Sequence, residues 1–140
     1  MADVVTGPTT LLQNDNLFVV KYVNVSDGSG GTTIIADISA LDARADGAAC
    51  LHVSVQRVWY SAQGGDGGDS FLRIDEEDND GDIPILALTG NGYMDFRDFG
   101  GIPADKSTNT NQSDVQVVVP AAADAGNAYS LVVEFKKLYG

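Results

Sequence analysis

The feature that most constrains this chain is a succession of strand-length runs, rich in β-branched and aromatic residues and each cut off by Gly, Asp or Asn. Leu17-Phe18-Val19-Val20-Lys21-Tyr22-Val23-Asn24-Val25 alternates polar and apolar from Lys21 onward, the period-two pattern of a half-buried strand. Asp27-Gly28-Ser29-Gly30-Gly31 interrupts it with residues that accept turn conformations. Thr32 to Ile38 then resumes, so the pair reads as a hairpin with a long loop.

The clearest run is Cys50 to Tyr60. Leu51, Val53 and Val55 share one face, and His52, Ser54 and Gln56 share the other. Val58 breaks this phase, which predicts a β-bulge at Arg57-Val58, because one extra residue flips every later side chain. Further strands are expected over Ser70–Ile74, Ile83–Leu88, Gly92–Arg97, Asp114–Val119 and Ala128–Leu138. Pro84 cannot donate to a ladder and marks a strand start or an edge. Helix is scarce. Ser39-Ala40-Leu41-Asp42 has capping-box spacing for one short turn, and Ala121 to Gly126 offers another.

The expected fold is therefore all-β: an antiparallel β-sandwich or jelly roll of about eight strands with very little helix. Residues 1–140 form one domain, with 1–16 as an extended N-terminal arm. A hydrophobic fraction of 44% excludes a disordered tail. A chain of this length buries roughly two-thirds of its unfolded surface, enough for a core without staples.

Charge excludes whole classes of partner. Twenty acids face eight bases, a net of −12, which opposes binding to nucleic acid or to an anionic membrane. A like-charged exterior keeps the chain soluble. No secretory signal and no apolar run near the length of a membrane span is present in the sequence. The expectation is a protein made in the cytosol that stays soluble. Asn24-Val25-Ser26 and Asn111-Gln112-Ser113 match the glycosylation sequon and in that setting are chance matches.

Catalytic signatures are short of parts. Cys50 is the sole cysteine and His52 the sole histidine; on a strand they share a face, yet spacing supplies no Asn or Asp to orient the imidazole. A buried, inert thiol is the plain reading. There is no Gly-x-Ser-x-Gly elbow, and the glycine-rich stretches at 27–31 and 64–68 lack the Lys-Ser/Thr of a phosphate loop. A glycosidase needs acids on separate elements across an aromatic cleft. Here they are consecutive.

The acids do concentrate. Asp66, Asp69, Asp75, Glu76, Glu77, Asp78, Asp80 and Asp82 fall within seventeen residues. Calcium takes several oxygen ligands from a loop, and Asp75, Glu76, Asp78, Asp80 and Asp82 are its candidate ligands. Glu76-Glu77-Asp78-Asn79-Asp80-Gly81 resembles the opening of an EF-hand loop but begins with Glu and has Ala87 at the twelfth place. The plainer reading is a solvated loop tip. No other cofactor is indicated. Tyr22, Trp59, Tyr60, Phe71, Tyr93, Phe96, Phe99, Tyr129 and Phe135 mostly lie within strands, where packing is their default use and a partner interface the alternative.

Four stretches together resemble a known family. Ala2-Asp3-Val4-Val5-Thr6-Gly7-Pro8 leads to Val20-Lys21-Tyr22-Val23-Asn24-Val25-Ser26-Asp27-Gly28-Ser29-Gly30-Gly31; then come Gly90-Asn91-Gly92-Tyr93-Met94-Asp95-Phe96-Arg97-Asp98-Phe99-Gly100-Gly101 and Tyr129 to Lys137. This order resembles small virion structural proteins of tailed bacteriophages, particularly phages of marine and cyanobacterial hosts, over most of the chain. The resemblance implies a non-enzymatic head decoration (cement) protein located in the virion. Its partners would be the major capsid protein or other virion proteins, with a trimer or dimer of the chain itself. The N-terminal arm would order by adding a strand to a neighbouring sheet. A neck, tail or fibre component, or a calcium-dependent carbohydrate-binding β-sandwich module, are the alternative roles. No catalytic residue is carried over. The segment from Gly64 to Asp82 is longer and more acidic than the family pattern, so no role is carried over to it either.

Overall fold

Leu17–Val25 buries Phe18, Val20, Tyr22 and Asn24 and turns the residues between them outward, so the alternation legible in the sequence becomes the inner and outer faces of a strand. A computed structural model describes residues 4–25, 29–63, 71–78, 80–105, 114–119 and 128–139. Its strands are β1 (Val4–Gln13), β2 (Leu17–Val25), β3 (Gly31–Ala36), β4 (His52–Gln63), β5 (Phe71–Glu76), β6 (Ile83–Asp95), β7 (Ile102–Pro103), β8 (Val115–Val119) and β9 (Ala128–Leu138). Two 3₁₀ turns, Ile38–Ala40 and Arg97–Phe99, accompany them. Among the described residues no helix is long and apolar enough to cross a membrane.

The hydrogen-bonded order is β1-β2-β9-β4-β6-β5-β8-β3, with β7 beside β4. Every pair is antiparallel. Long β6 serves two sheets: Ile83–Thr89 pairs with β5, and Gly90–Asp95 pairs with β4. The strand turns at Gly90, whose φ of +73° few side chains adopt. Counting the halves of β6 separately, β2-β9-β4-β6 faces β3-β8-β5-β6. Within these eight, successive strands change sheet except at the β5–β6 hairpin, which is the jelly-roll arrangement. β1 is an addition outside β2. One cluster of buried residues, including Tyr22, Ile35, Val58, Leu72, Ile74, Val117, Leu131 and Phe135, joins the sheets. The Phe18 and Phe135 rings stack across the β2–β9 pair at 6.1 Å.

Several details depart from the sequence reading. The stretch expected as an arm through Asn16 is, from Val4 to Gln13, an edge strand of the chain's own sheet. Register shifts after Thr6 and Thr10 bracket Pro8, which has no N–H to donate and is tolerated at an edge. The segments 83–88 and 92–97 are one strand rather than two, except that Phe96 and Arg97 fall beyond its end. The first short turn starts at Ile38, with Asp37 rather than Ser39 at its cap position. The second, at 121–126, lies outside the described residues. The predicted bulge is present but lies just before Arg57-Val58, with Gln56 as the extra residue, as a register shift between Val55 and Arg57.

β4 is buried on both faces near its start. Ser54 and Gln56, on its polar face, lie beneath the loop that follows β6, and the Gln56 amide and the Ser54 hydroxyl both donate to the Gly100 carbonyl. Gly101 sits against them with φ +89°, and a Cβ there would collide with both side chains. The loop therefore closes over β4 only with glycine at that point.

One end of the sandwich is closed by a buried lysine. Lys137 on β9 is 3% exposed. Its Nζ donates to Gln13 Oε1 (3.2 Å), the Asn14 carbonyl (3.1 Å) and the Asp42 carbonyl (2.9 Å), matching three donors to three acceptors. Its backbone N–H donates to the Asn16 carbonyl. Tyr139 continues the clasp: its hydroxyl donates to the Asp15 carbonyl, and Arg44 stacks on its ring. The β1–β2 turn, the segment after β3 and the C-terminal strand thus meet at one ammonium. Lys137→Met keeps the apolar stem and strands the acceptors. It is expected to cost about 2–4 kcal/mol, measured as a lower urea midpoint at unchanged slope.

Candidate functional site

The acidic candidates are dispersed by the fold. Asp75 and Glu76 are not in a loop; they close β5 and are buried. Arg73, two residues back on the same strand, donates to both Asp75 oxygens, Nε to Oδ1 at 2.7 Å and Nη2 to Oδ2 at 2.9 Å. This fork is the geometry in which a guanidinium best compensates a buried carboxylate. Asp78, Asp80 and Asp82 lie on the exposed β5–β6 turn. Asp82 Oδ2 accepts from Gln116 Nε2 at 2.5 Å, its Oδ1 accepts from the Asp78 N–H at 3.3 Å, and the Gly81 N–H reaches the Asp78 carbonyl. These oxygens hold the turn. Among the described residues no three His, Cys, Asp or Glu side chains converge as a metal site. Asp66 and Asp69 lie outside the described residues.

Cys50 is buried just before β4, and its thiol donates to the His52 carbonyl at 3.2 Å rather than to the imidazole. Burial pushes the thiol up from its ordinary value. That is the opposite of what a nucleophile needs.

The surface that does gather functional chemistry is the outer face of the first sheet. Beyond the bulge, β4 presents Arg57, Trp59 and Ser61 outward while Val58 and Ala62 enter the core. Trp59 stands opposite Tyr93 on β6 and Val132 on β9. The two rings meet at 5.2 Å with a 36° tilt. They are 37% and 49% exposed, so a large aromatic pair faces solvent. Both rings are braced. The Arg57 guanidinium lies over the indole at 5.0 Å and makes a two-pronged ion pair with Glu134, 2.7 Å at each nitrogen. The Tyr93 hydroxyl donates to Asp95 Oδ2 (3.3 Å), and Asp95 is itself held by Arg97. That partner keeps the Asp95 carboxyl well below the usual carboxylate range, and Glu134 raises the Arg57 guanidinium.

One step along the strands the surface becomes polar. Ser61 pairs with Asn91 and Ser130. Asn91 Oδ1 accepts from Ser61 Oγ at 2.7 Å and from Gln63 Nε2 at 2.5 Å. Between the indole and these small residues lies a shallow depression of 260 Å³, lined by Trp59, Ser61, Ser130 and Val132 over the backbone of neighbouring strands. In the sequence Trp59 and Tyr93 were indistinguishable from core aromatics. The bulge was the one sign of their outward phase, and only the register brings them together.

A second depression, of 170 Å³, lies where the ends of the strand path approach one another, between β1 and β3. Pro8, Phe18, Ile34 and Leu41 line it. It is the unbonded seam of a nearly closed sandwich.

No protein-family model matches the chain, and no curated protein matches its sequence.

Two outcomes follow from the acids. Arg73→Ala leaves the buried Asp75 carboxylate without its guanidinium. With Arg73 itself part-exposed, the expected loss is about 2–3 kcal/mol, and Arg73→Ala/Asp75→Ala together should lose less than the sum of the singles in chemical denaturation. Asp114 accepts the Ile38 N–H at 3.0 Å. Burial, with Asp37 nearby, nevertheless raises its carboxyl above the ordinary 3.8. A raised folded-state value means that the charged form costs stability at neutral pH, and that this cost fades as pH falls through the folded value and is absent below 3.8. Asp114→Asn keeps the acceptor and removes the charge. Its Tm should exceed the parent's at neutral pH and converge with it in acid; a pH-independent difference would contradict the assignment.

Proposed function

We propose that the chain is a virion structural protein of a tailed bacteriophage, most specifically a head decoration protein that binds the outside of the capsid and stabilises contacts between capsomers. The stretches that carry the resemblance fall on β1, β2, β9 and the second half of β6. They therefore build, around β4, one continuous sheet. The jelly roll, a rigid frame recurrent in viral capsid domains, suits a protein whose work is to hold surfaces together.

The observation that carries the reading is the edge of that sheet. Among the described residues β1 is bonded to β2 alone, and it presents Val5, Leu11 and Leu12 as exposed apolar side chains, Leu11 at 54%. Such an edge offers both backbone groups and apolar area to a neighbouring subunit. A net charge of −12 keeps the free chain dispersed before assembly and away from packaged nucleic acid. The partners are the major capsid protein and further copies of the chain.

Purified chain added to expanded capsids that lack it should bind and raise their melting temperature. Leu11→Lys/Leu12→Lys should fold normally and bind at least about tenfold more weakly, roughly 1.4 kcal/mol. Mass spectrometry of purified virions that finds no trace of the chain would refute the proposal. Detection only in tail fractions would move it to the neck, tail or fibre.

A further inference from the structure

We infer that the depression beside Trp59 is a glycan-binding site that takes one neutral hexopyranose unit, with the indole against the sugar's C–H face and Ser61 and Ser130 meeting its hydroxyls. A pyranose ring is amphipathic in the way this surface is: one broad face of C–H bonds and a rim of hydroxyls. The structure sets a tryptophan wall beside two serines, with Ser61 hydrogen-bonded to the Asn91 amide and Asn91 to that of Gln63. The 260 Å³ volume suits a single ring with its substituents rather than a peptide segment.

Nucleic acid fits less well. Nucleic-acid bases also stack on aromatic rings, but their phosphates require free basic groups. Here Arg57 is committed to Glu134, and Arg97 to Asp95. The bracing also matters. Because Arg57 and Asp95 already fix the rings, little side-chain freedom is lost when a ligand docks, which favours binding by a small contact area.

Among the described residues none that lines the depression is a carboxylate, so binding should not require calcium. The site is independent of the virion assignment, since the isolated chain suffices to test it. Trp59 is the only tryptophan, and its emission reports directly on the site. The probes are α- and β-linked gluco-, manno- and galacto-oligosaccharides, titrated into the purified chain with and without EDTA.

At least one series should change Trp59 emission with a Kd of about 1 mM or tighter, equally in EDTA. Calorimetry on variants should show binding lost in Trp59→Ala and in Ser130→Leu, which fills the depression and leaves the indole in place. Phe99→Ala, which removes an aromatic 69% exposed elsewhere, should bind like the parent. The proposal is overturned if no probe perturbs Trp59, if EDTA abolishes binding, or if Phe99→Ala weakens it as much as Trp59→Ala.

Discussion

The pairing of β4 with β9, and the single residue by which it slips, governs the rest of the molecule. Before the slip, Val53 and Val55 point into the core; after it, Val58 and Ala62 do. Without the extra residue the second half of β4 would turn its indole inward and its valine to water, since a shift of one reverses every side chain. The bulge thus fills the core and sets out the aromatic surface in one step. It also leaves Gln56 on the far side, where the Gly100–Gly101 loop covers it.

The carboxylates show how burial decides what an acidic run does. Asp75 and Glu76 are drawn into a strand because their neighbours in sequence are Leu72 and Ile74, which the core requires. The buried Asp75 is tolerated because Arg73 falls on its own face two residues away and pairs with it. Farther along, Asp78 and Asp82 accept backbone N–H groups and a glutamine amide, as short polar side chains do in tight turns. A run that looks like a ligand set is divided between a strand end and a turn.

Much of the fold was legible in local pattern and much of the site was not. Leu17–Val25, Ala128–Leu138 and the bulge in β4 were readable because alternation is a property of neighbours in sequence. β1 was not, because Gly7, Pro8 and three threonines read as a polar arm, and its strand character comes from β2 rather than from its own composition. Thr89-Gly90-Asn91 falls between the two strands expected from the sequence. It is instead the bend by which one strand leaves a sheet and joins the other, a distinction that depends on partners some thirty residues away in β4. Trp59 and Tyr93 belong to the same category: each is an ordinary strand aromatic until the register sets them side by side.

The continuous β6 gives the sandwich an asymmetry of strength. Along that side a covalent backbone crosses from one sheet to the other, while along the opposite side β1 and β3 meet without ladder hydrogen bonds. Any force that pries the sheets apart meets a spine on one flank and an open lip on the other, so the domain yields as a book does, from the fore-edge. The Lys137 clasp ties the β1–β2 turn to the C-terminal strand and to the segment after β3. It works as a fastening near that lip, placed where the leverage is greatest.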